Sequence, residues 1–288
     1  MAVPRPGAAA PVSLARDLRE QSDALLEQIV EDIRRSQKYR NISADLVRRI
    51  GRAELEKRSS LKEAVKATKG KLHQVAGAYL AGGMHYPEWL VQLRAARESG
   101  DAHQWQSTCA RVMACHASTR ERLPILERFY AETLAGLPPI GSVLDVACGL
   151  NPLSIPWMPL SEGATYCACD AYADMVAFVG EYLTLVPIAG QAHMVDVIGA
   201  PPRQPADVAL VLKTIPCLEQ VDPDAGARLL EALGASHILV SYPVHSLGGR
   251  GKGMAANYER QLRDRVAGRA WRVVRFEFPT ELAFLISK

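Results

Sequence analysis

The chain of 288 residues has no run of about 18 apolar residues, so no membrane-spanning helix is expected. Its N-terminus lacks the charged-then-apolar layout of a secretory signal, and the expectation is a cytoplasmic protein with no membrane partner. The six cysteines (Cys109, Cys115, Cys148, Cys167, Cys169 and Cys217) form no Cys-x-x-Cys pair. That spacing disfavours a zinc site or a disulfide framework and leaves reduced core cysteines as the plain reading. There is no Gly-x-Gly-x-x-Gly, which removes the dinucleotide fingerprint. No internal repeat is present, and the only biased segment is an Ala/Pro-rich opening, residues 1–13, expected to be a disordered tail. Net charge is small, at +3, but unevenly placed. Residues 31–75 carry 13 Lys/Arg against 6 Asp/Glu, a local excess of +7, so the rest of the chain sums to −4. A basic N-terminal segment suggests a polyanionic partner, with a solvated helical surface as the alternative.

What is present divides at about residue 115. From Leu14 to Leu134 the pattern is helical. Leu18, Leu25, Leu26, Ile29, Val30 and Ile33 recur at three- and four-residue steps and form one apolar stripe. Ser43 is a candidate cap for a helix with Leu46, Val47 and Ile50 inward and Arg48, Arg49 and Arg52 outward. Residues Leu61–Tyr79 continue in the same style, with Lys62, Lys66 and Lys69 along one face, and further helices fit Glu88–Ser99, Ala102–Cys115 and Leu123–Leu134. After Pro139, short apolar runs alternate with helical stretches, the signature of parallel α/β units. The runs are Ser142–Val146, Thr165–Cys169, His193–Val195, Val208–Leu212 and His237–Ser241. Trp271–Phe278 and Leu282–Ser287 have no room for a helix between them and are expected to form a hairpin. The predicted organisation is a basic helical region over 14–115, followed over 116–288 by an α/β domain of the class I, Rossmann-like methyltransferase type.

The strand ends carry the chemistry. The first run ends in Asp145-Val146-Ala147-Cys148-Gly149, a small-residue turn that lets a ligand approach the backbone. An acidic residue ahead of that turn disfavours a pyrophosphate and suits a ligand with a cationic end. The second run ends at Asp170, 25 residues later, where a carboxylate can accept from both ribose hydroxyls. The third ends at Asp196-Val197, placed to meet an adenine amine and pack on its ring. Any one Asp could be a helix cap; three at successive strand ends point to S-adenosyl-L-methionine.

The methyl acceptor is constrained by another absence. The Asn/Asp-Pro-Pro-Tyr/Phe motif of exocyclic-amine methylation is replaced by Lys213-Thr214-Ile215-Pro216. Cys217 lies near the place of a nucleophile, but core packing is its default role. A ring nitrogen with an in-plane lone pair, such as guanine N7, needs neither nucleophile nor base, only positioning. Lys213 is then a candidate for contact with guanine O6 or a phosphate, or merely a strand-end charge. Arg120, in the polar stretch His116–Arg122, can pair bidentately with a carboxylate, or be part of a surface helix. The segment Ser246-Leu247-Gly248-Gly249-Arg250-Gly251-Lys252-Gly253-Met254 makes a cationic glycine-rich loop suited to clamping an RNA backbone.

Leu144–Leu153, Pro156-Trp157-Met158, His116–Arg122, Leu212–Glu219 and the Ser246–Met254 segment together resemble the aminoglycoside-resistance 16S rRNA methyltransferases of the Arm/Rmt/Sgm type. The resemblance runs from about Ile29 to Lys288. It implies methylation of N7 of guanosine 1405 in the decoding site of 16S rRNA, in the assembled 30S subunit, with S-adenosyl-L-homocysteine as product. It also implies resistance to 4,6-disubstituted deoxystreptamine aminoglycosides such as gentamicin and kanamycin. By motif it implies that Tyr79, Ser118, Thr119, Arg120, Ala147, Asp170, Asp196, Val197, Leu212 and Gln220 line the cofactor, beside Asp145 and Gly149. Arg48, Arg49, Arg52, Lys62, Lys66, Lys69, Arg250 and Lys252 are the expected RNA contacts, with Lys213, Arg250 and Lys252 positioning the guanine. A monomer without a DNA partner or a metal is expected. The competing readings are a class I methyltransferase for another RNA or a small-molecule acceptor, and a ribosome-binding protein without catalysis.

Overall fold

The computed structural model describes residues 10–77, 83–244 and 254–288. It opens with helices α1 (Ala10–Arg34), α2 (Ala44–Leu55) and α3 (Leu61–Leu72), the last running into one π-helical turn, His73–Gly77. Then come α4 (Tyr86–Glu98), α5 (Ala102–Met113), α6 (Ala117–Arg122) and α7 (Leu126–Leu134). Helix α1 already includes residues 10–13, which the composition had placed in a disordered tail. Leu26, Ile29, Val30 and Ile33 form its buried stripe, whereas Leu25 faces outward at 38% exposure. Ser43 caps α2 as expected, its hydroxyl accepting from the Leu46 amide, and Leu46, Val47 and Ile50 are buried.

The second half is one seven-stranded sheet. Its strands are β1 (Ile140–Val146), β2 (Leu160–Asp170), β3 (Ala189–Met194), β4 (Ala206–Leu212), β5 (Ala235–Pro243), β6 (Arg272–Glu277) and β7 (Glu281–Ser287). Helices α8 (Ala173–Leu183), α9 (Ile215–Leu218), α10 (Ala225–Ala232) and α11 (Met254–Val266) connect them. The spatial order is β3-β2-β1-β4-β5-β7-β6. The first five strands pair in parallel, and β7 inserts antiparallel between β5 and its hairpin partner β6. The central strands read as apolar runs because both faces are covered. Edge strand β3 begins four residues before the expected run, because its alternating, largely exposed face carries Gln191 and His193 and makes no apolar run.

The helical region does not stand apart from the sheet. Tyr86 of α4 stacks on Phe178 of α8 at 5.0 Å, and Trp105 of α5 stacks on Tyr182 at 5.7 Å. A short antiparallel bridge joins Ile42 to Tyr172, flanked by Ser43 N–H donating to Ala171 O and Ala173 N–H donating to Asn41 O. One hydrophobic core therefore runs from Ile29 to Ile286. Such continuity predicts one cooperative unfolding event. Phe178→Ala should cost about 3–5 kcal/mol in urea denaturation, with far-UV circular dichroism and tryptophan fluorescence changing together. Two separated transitions would contradict a shared core.

Candidate cofactor cleft and basic surface

The carboxyl ends of β1, β2 and β4 and the segment after β3 open into one cleft. The sheet order explains its place, since the chain leaves β1 and β4 in opposite directions and parts the connections there. Two non-glycine residues take left-handed backbone conformations at this point, Ala147 (φ 51°) after β1 and Lys213 (φ 58°) after β4. Each costs on the order of 1 kcal/mol, a strain that recurs at ligand sites. Gly149 (φ 52°) completes the turn, and a Cβ there would stand 2.9 Å from the His116 ring. The result is a backbone cradle free of side chains, as an adenosyl amino acid requires.

Three carboxylates line the cleft and each is held differently. Asp145 is buried and accepts through Oδ2 from Tyr166 Oη (2.7 Å) and Asn151 Nδ2 (3.0 Å). Burial outweighs these neutral donors and lifts its pKa from the ordinary 3.8 to about 7. Asp170 accepts three backbone N–H groups, Gly149 on Oδ2 and Ala171 and Tyr172 on Oδ1. Burial still raises its pKa. Asp196 accepts from Ile198 N–H on Oδ1 and from Arg49 Nε (2.9 Å) on Oδ2. Val197, Ile198, Leu212, Leu46 and Val75 add apolar walls.

Beneath the cleft lies a buried network that local sequence patterns do not announce. Arg122 of α6 is fully buried and donates to both oxygens of Glu281 at the start of β7, the closest contact being 2.6 Å. Its Nη1 donates to Asn151 Oδ1 (2.8 Å), so Asn151 ties the ion pair to Asp145. Burial would raise the Glu281 carboxyl, but Arg122 and Lys213 hold it below its ordinary value. Lys213 Nζ meets Glu121 (2.7 Å), Glu281 (3.3 Å) and Ser118 O (3.2 Å). This buried ammonium is not a surface charge; it lines the cleft as part of its floor. His116 lines the same wall; burial, reinforced by Lys213 and Arg122, lowers it to about 4 and keeps it neutral.

Of the residues expected around the cofactor, Ser118, Asp145, Ala147, Gly149, Asp170, Asp196, Val197 and Leu212 line the cleft. Thr119 does not, because its buried hydroxyl donates to Met113 O (2.6 Å) and His116 O (3.2 Å). Arg120 is exposed and off the cleft wall, and the bidentate carboxylate partner expected of it belongs to Arg122, two residues on. Gln220 sits exposed beyond α9, its amide turned back to Pro216 O. Tyr79, Arg250 and Lys252 lie outside the described residues. On the basic face, Lys62 and Lys66 are exposed and Lys69 half-buried. Arg48 pairs with Glu27 (2.7 Å) and Asp45, and Arg52 with Asp23 (3.6 Å). Arg49 shares that surface with Arg48 and Arg52 and pairs with Asp196 of the cleft wall (2.9 Å).

This strand order, with carboxylates at successive strand ends around a bare backbone turn, defines a class I methyltransferase whose cofactor is S-adenosyl-L-methionine. A family model described as ribosomal RNA methyltransferase (FmrO) matches residues 35–285. The chain is 38% identical over 268 residues to a 16S rRNA (guanine(1405)-N(7))-methyltransferase of Micromonospora rosea, covering 92% of this chain and 98% of that one. It is 38% identical to a like-named protein of Frankia casuarinae over the whole of both chains. The solved structure of 16S rRNA methyltransferase RmtF in complex with S-adenosyl-L-homocysteine superposes with a TM-score of 0.75 at 29% identity, covering 93% and 98%. That of 16S rRNA methylase RmtB gives 0.73 at 30%, covering 91% and 98%. The chain belongs to the FmrO family of ribosomal RNA methyltransferases.

The raised Asp145 has a signed consequence. Between about pH 4 and 7 the folded state keeps a proton that the unfolded chain has lost, so this group's contribution to stability falls as pH rises through that window. A ligand ammonium beside Asp145 favours the ionised form. S-adenosyl-L-homocysteine should therefore bind more tightly as pH rises from about 5.5 to 8, with proton release visible in calorimetry in buffers of differing ionisation heat. Asp145→Asn should flatten the profile, and an unchanged slope in that variant would remove Asp145 from the ammonium site. The ion pair beneath gives a second test. Glu281→Gln leaves Arg122 buried without its counter-charge and should cost about 3–5 kcal/mol in urea, whereas Arg122→Met with Glu281→Leu should recover most of that loss.

Proposed function

We propose that this chain transfers the methyl group of S-adenosyl-L-methionine to N7 of guanosine 1405 of 16S rRNA. It acts as a monomer on the assembled 30S subunit in the cytoplasm, and the modified base protects the ribosome from 4,6-disubstituted deoxystreptamine aminoglycosides. The observation that carries this reading is the end of β4. There Lys213 is held between Glu121 and Glu281 and Cys217 donates its thiol hydrogen to Lys213 O, so neither side chain is presented as a base or a nucleophile. Guanine N7 has a lone pair in the ring plane and no proton to lose, so it makes no such demand. The bound cofactor supplies an electrophilic methyl group on a sulfonium. The residues here only bind and orient: Asp145 takes the ammonium, Asp170 the ribose hydroxyls and Asp196 the adenine amine. Val197 and Ile198 pack on the ring. Arg48, Arg52, Lys62, Lys66 and Lys69 form the phosphate-facing side of the helical region.

The test uses 30S subunits from an aminoglycoside-susceptible bacterium. Incubation with labelled S-adenosyl-L-methionine should label 16S rRNA, and borohydride/aniline treatment should cleave it at position 1405. Asp170→Ala should abolish both by loss of cofactor affinity. Reversing Arg48, Lys62 and Lys66 to Glu should weaken 30S retention, increasingly so at low salt, and leave S-adenosyl-L-homocysteine binding intact. Labelling without cleavage at that site would mean a different acceptor, and no labelling would overturn the enzymatic reading.

A further inference from the structure

Arg49 shares the outer surface of α2 with Arg48 and Arg52 and its side chain is 39% exposed, but its guanidinium also reaches Asp196. It lies three residues beyond Leu46 on α2, so the two occupy one helix face, and Leu46 lines the cleft. The start of α2 is fixed against the sheet by the bridge of Ile42 with Tyr172 and by Ser43 N–H on Ala171 O. The guanidinium is thereby delivered in a set register to Asp196, whose carboxylate is 5% exposed. The chain also makes room for it, since a Cβ on Gly199 would occupy the position of the Arg49 guanidinium and stand 2.8 Å from Asp196 Oδ2. Asp196 thus has one oxygen oriented by the Ile198 amide and the other by Arg49. Asp222 also feels the Arg49 charge, but its own hydrogen-bonded partner is Arg228.

We propose that Arg49 is a specificity-determining positioning residue of the cofactor site: it holds Asp196 as an oriented acceptor for the exocyclic amine of adenine. The inference rests on the proposed role of Asp196. Without Arg49, an almost fully buried carboxylate loses its counter-charge and one of its two orienting bonds. It can then swing, and the amine loses its acceptor.

Calorimetry with two ligands tests this, S-adenosyl-L-homocysteine and its purine analogue bearing hydrogen in place of the adenine amine. The wild-type protein should prefer the amine-bearing ligand by about 10-fold or more, the worth of a hydrogen bond to a charged acceptor. Arg49→Gln should weaken S-adenosyl-L-homocysteine by about that factor and leave the purine analogue nearly unchanged, so that the preference collapses toward one. Gly199→Ala, which displaces the guanidinium while keeping it in the chain, should do the same, and Arg49→Lys should restore part of the preference. Retention of the preference in Arg49→Gln, or equal weakening of both ligands, would overturn the proposal. If the wild-type protein bound both ligands equally, the Asp196 contact itself would be wrong, and if it bound neither, the cofactor reading would fall first.

Discussion

The buried pair of Arg122 and Glu281 is the constraint on which the cofactor cleft depends. Taking two full charges out of water is expensive, and the arrangement is tolerable only because each donor and acceptor is used. Arg122 spends Nε and Nη2 on Glu281, Nη1 on Asn151, and lays its guanidinium over the Phe129 ring at 4.9 Å. These contacts tie α6, the turn after β1 and the first residue of β7, segments far apart in sequence, into one piece. Asn151 carries the constraint onward to Asp145. Leucine in place of Arg122 would bury more cheaply, but it would leave Asn151 Oδ1 to Tyr130 and Ser154 alone and take from Glu281 its bidentate partner.

Charge bookkeeping across this floor explains why the cleft wants a cation. Arg122 and Lys213 are paired with Glu281 and Glu121, and Asp145 feels Arg122 only at a distance, through Asn151. Asp145 has only a phenol and an amide for company, and its proton becomes labile near neutrality. Asp170 is held by backbone dipoles and Asp196 by Arg49. Of the three carboxylates, the one beside the bare turn is the least compensated, and it is there that the amino-acid end of the cofactor belongs. The left-handed residues Ala147 and Lys213 serve the same end, since each turns the chain away from the cleft immediately after its strand.

The sheet was legible because its inner strands are apolar on both faces and its acidic strand ends recur in order. Edge strand β3 was misplaced by four residues for the opposite reason, being half exposed and polar. The site was legible where function demands a residue type at a strand end, as at Asp145, Asp170 and Asp196. It was not legible where burial depends on a distant partner. Nothing in His116–Arg122 reveals that Arg122 is buried and Arg120 exposed, because the deciding carboxylate, Glu281, comes 159 residues later. Thr119 shows the same limit, since its hydroxyl serves the entry to α6 instead of a ligand.

Arg49 marks the boundary of charge counting as a guide to function. Its inward face was present in the sequence, in the three-residue step from Leu46, but a local excess of +7 makes every arginine of α2 look like a surface cation. The helix divides its cations by partner, not by exposure. Arg48 and Arg52 turn toward carboxylates of α1 that are themselves exposed, where a phosphate can compete for them on roughly equal terms. Arg49, no less exposed than Arg48, turns to a nearly buried carboxylate, where competition would strand a charge. One helix therefore carries exchangeable cations and one that is tied to the cofactor wall.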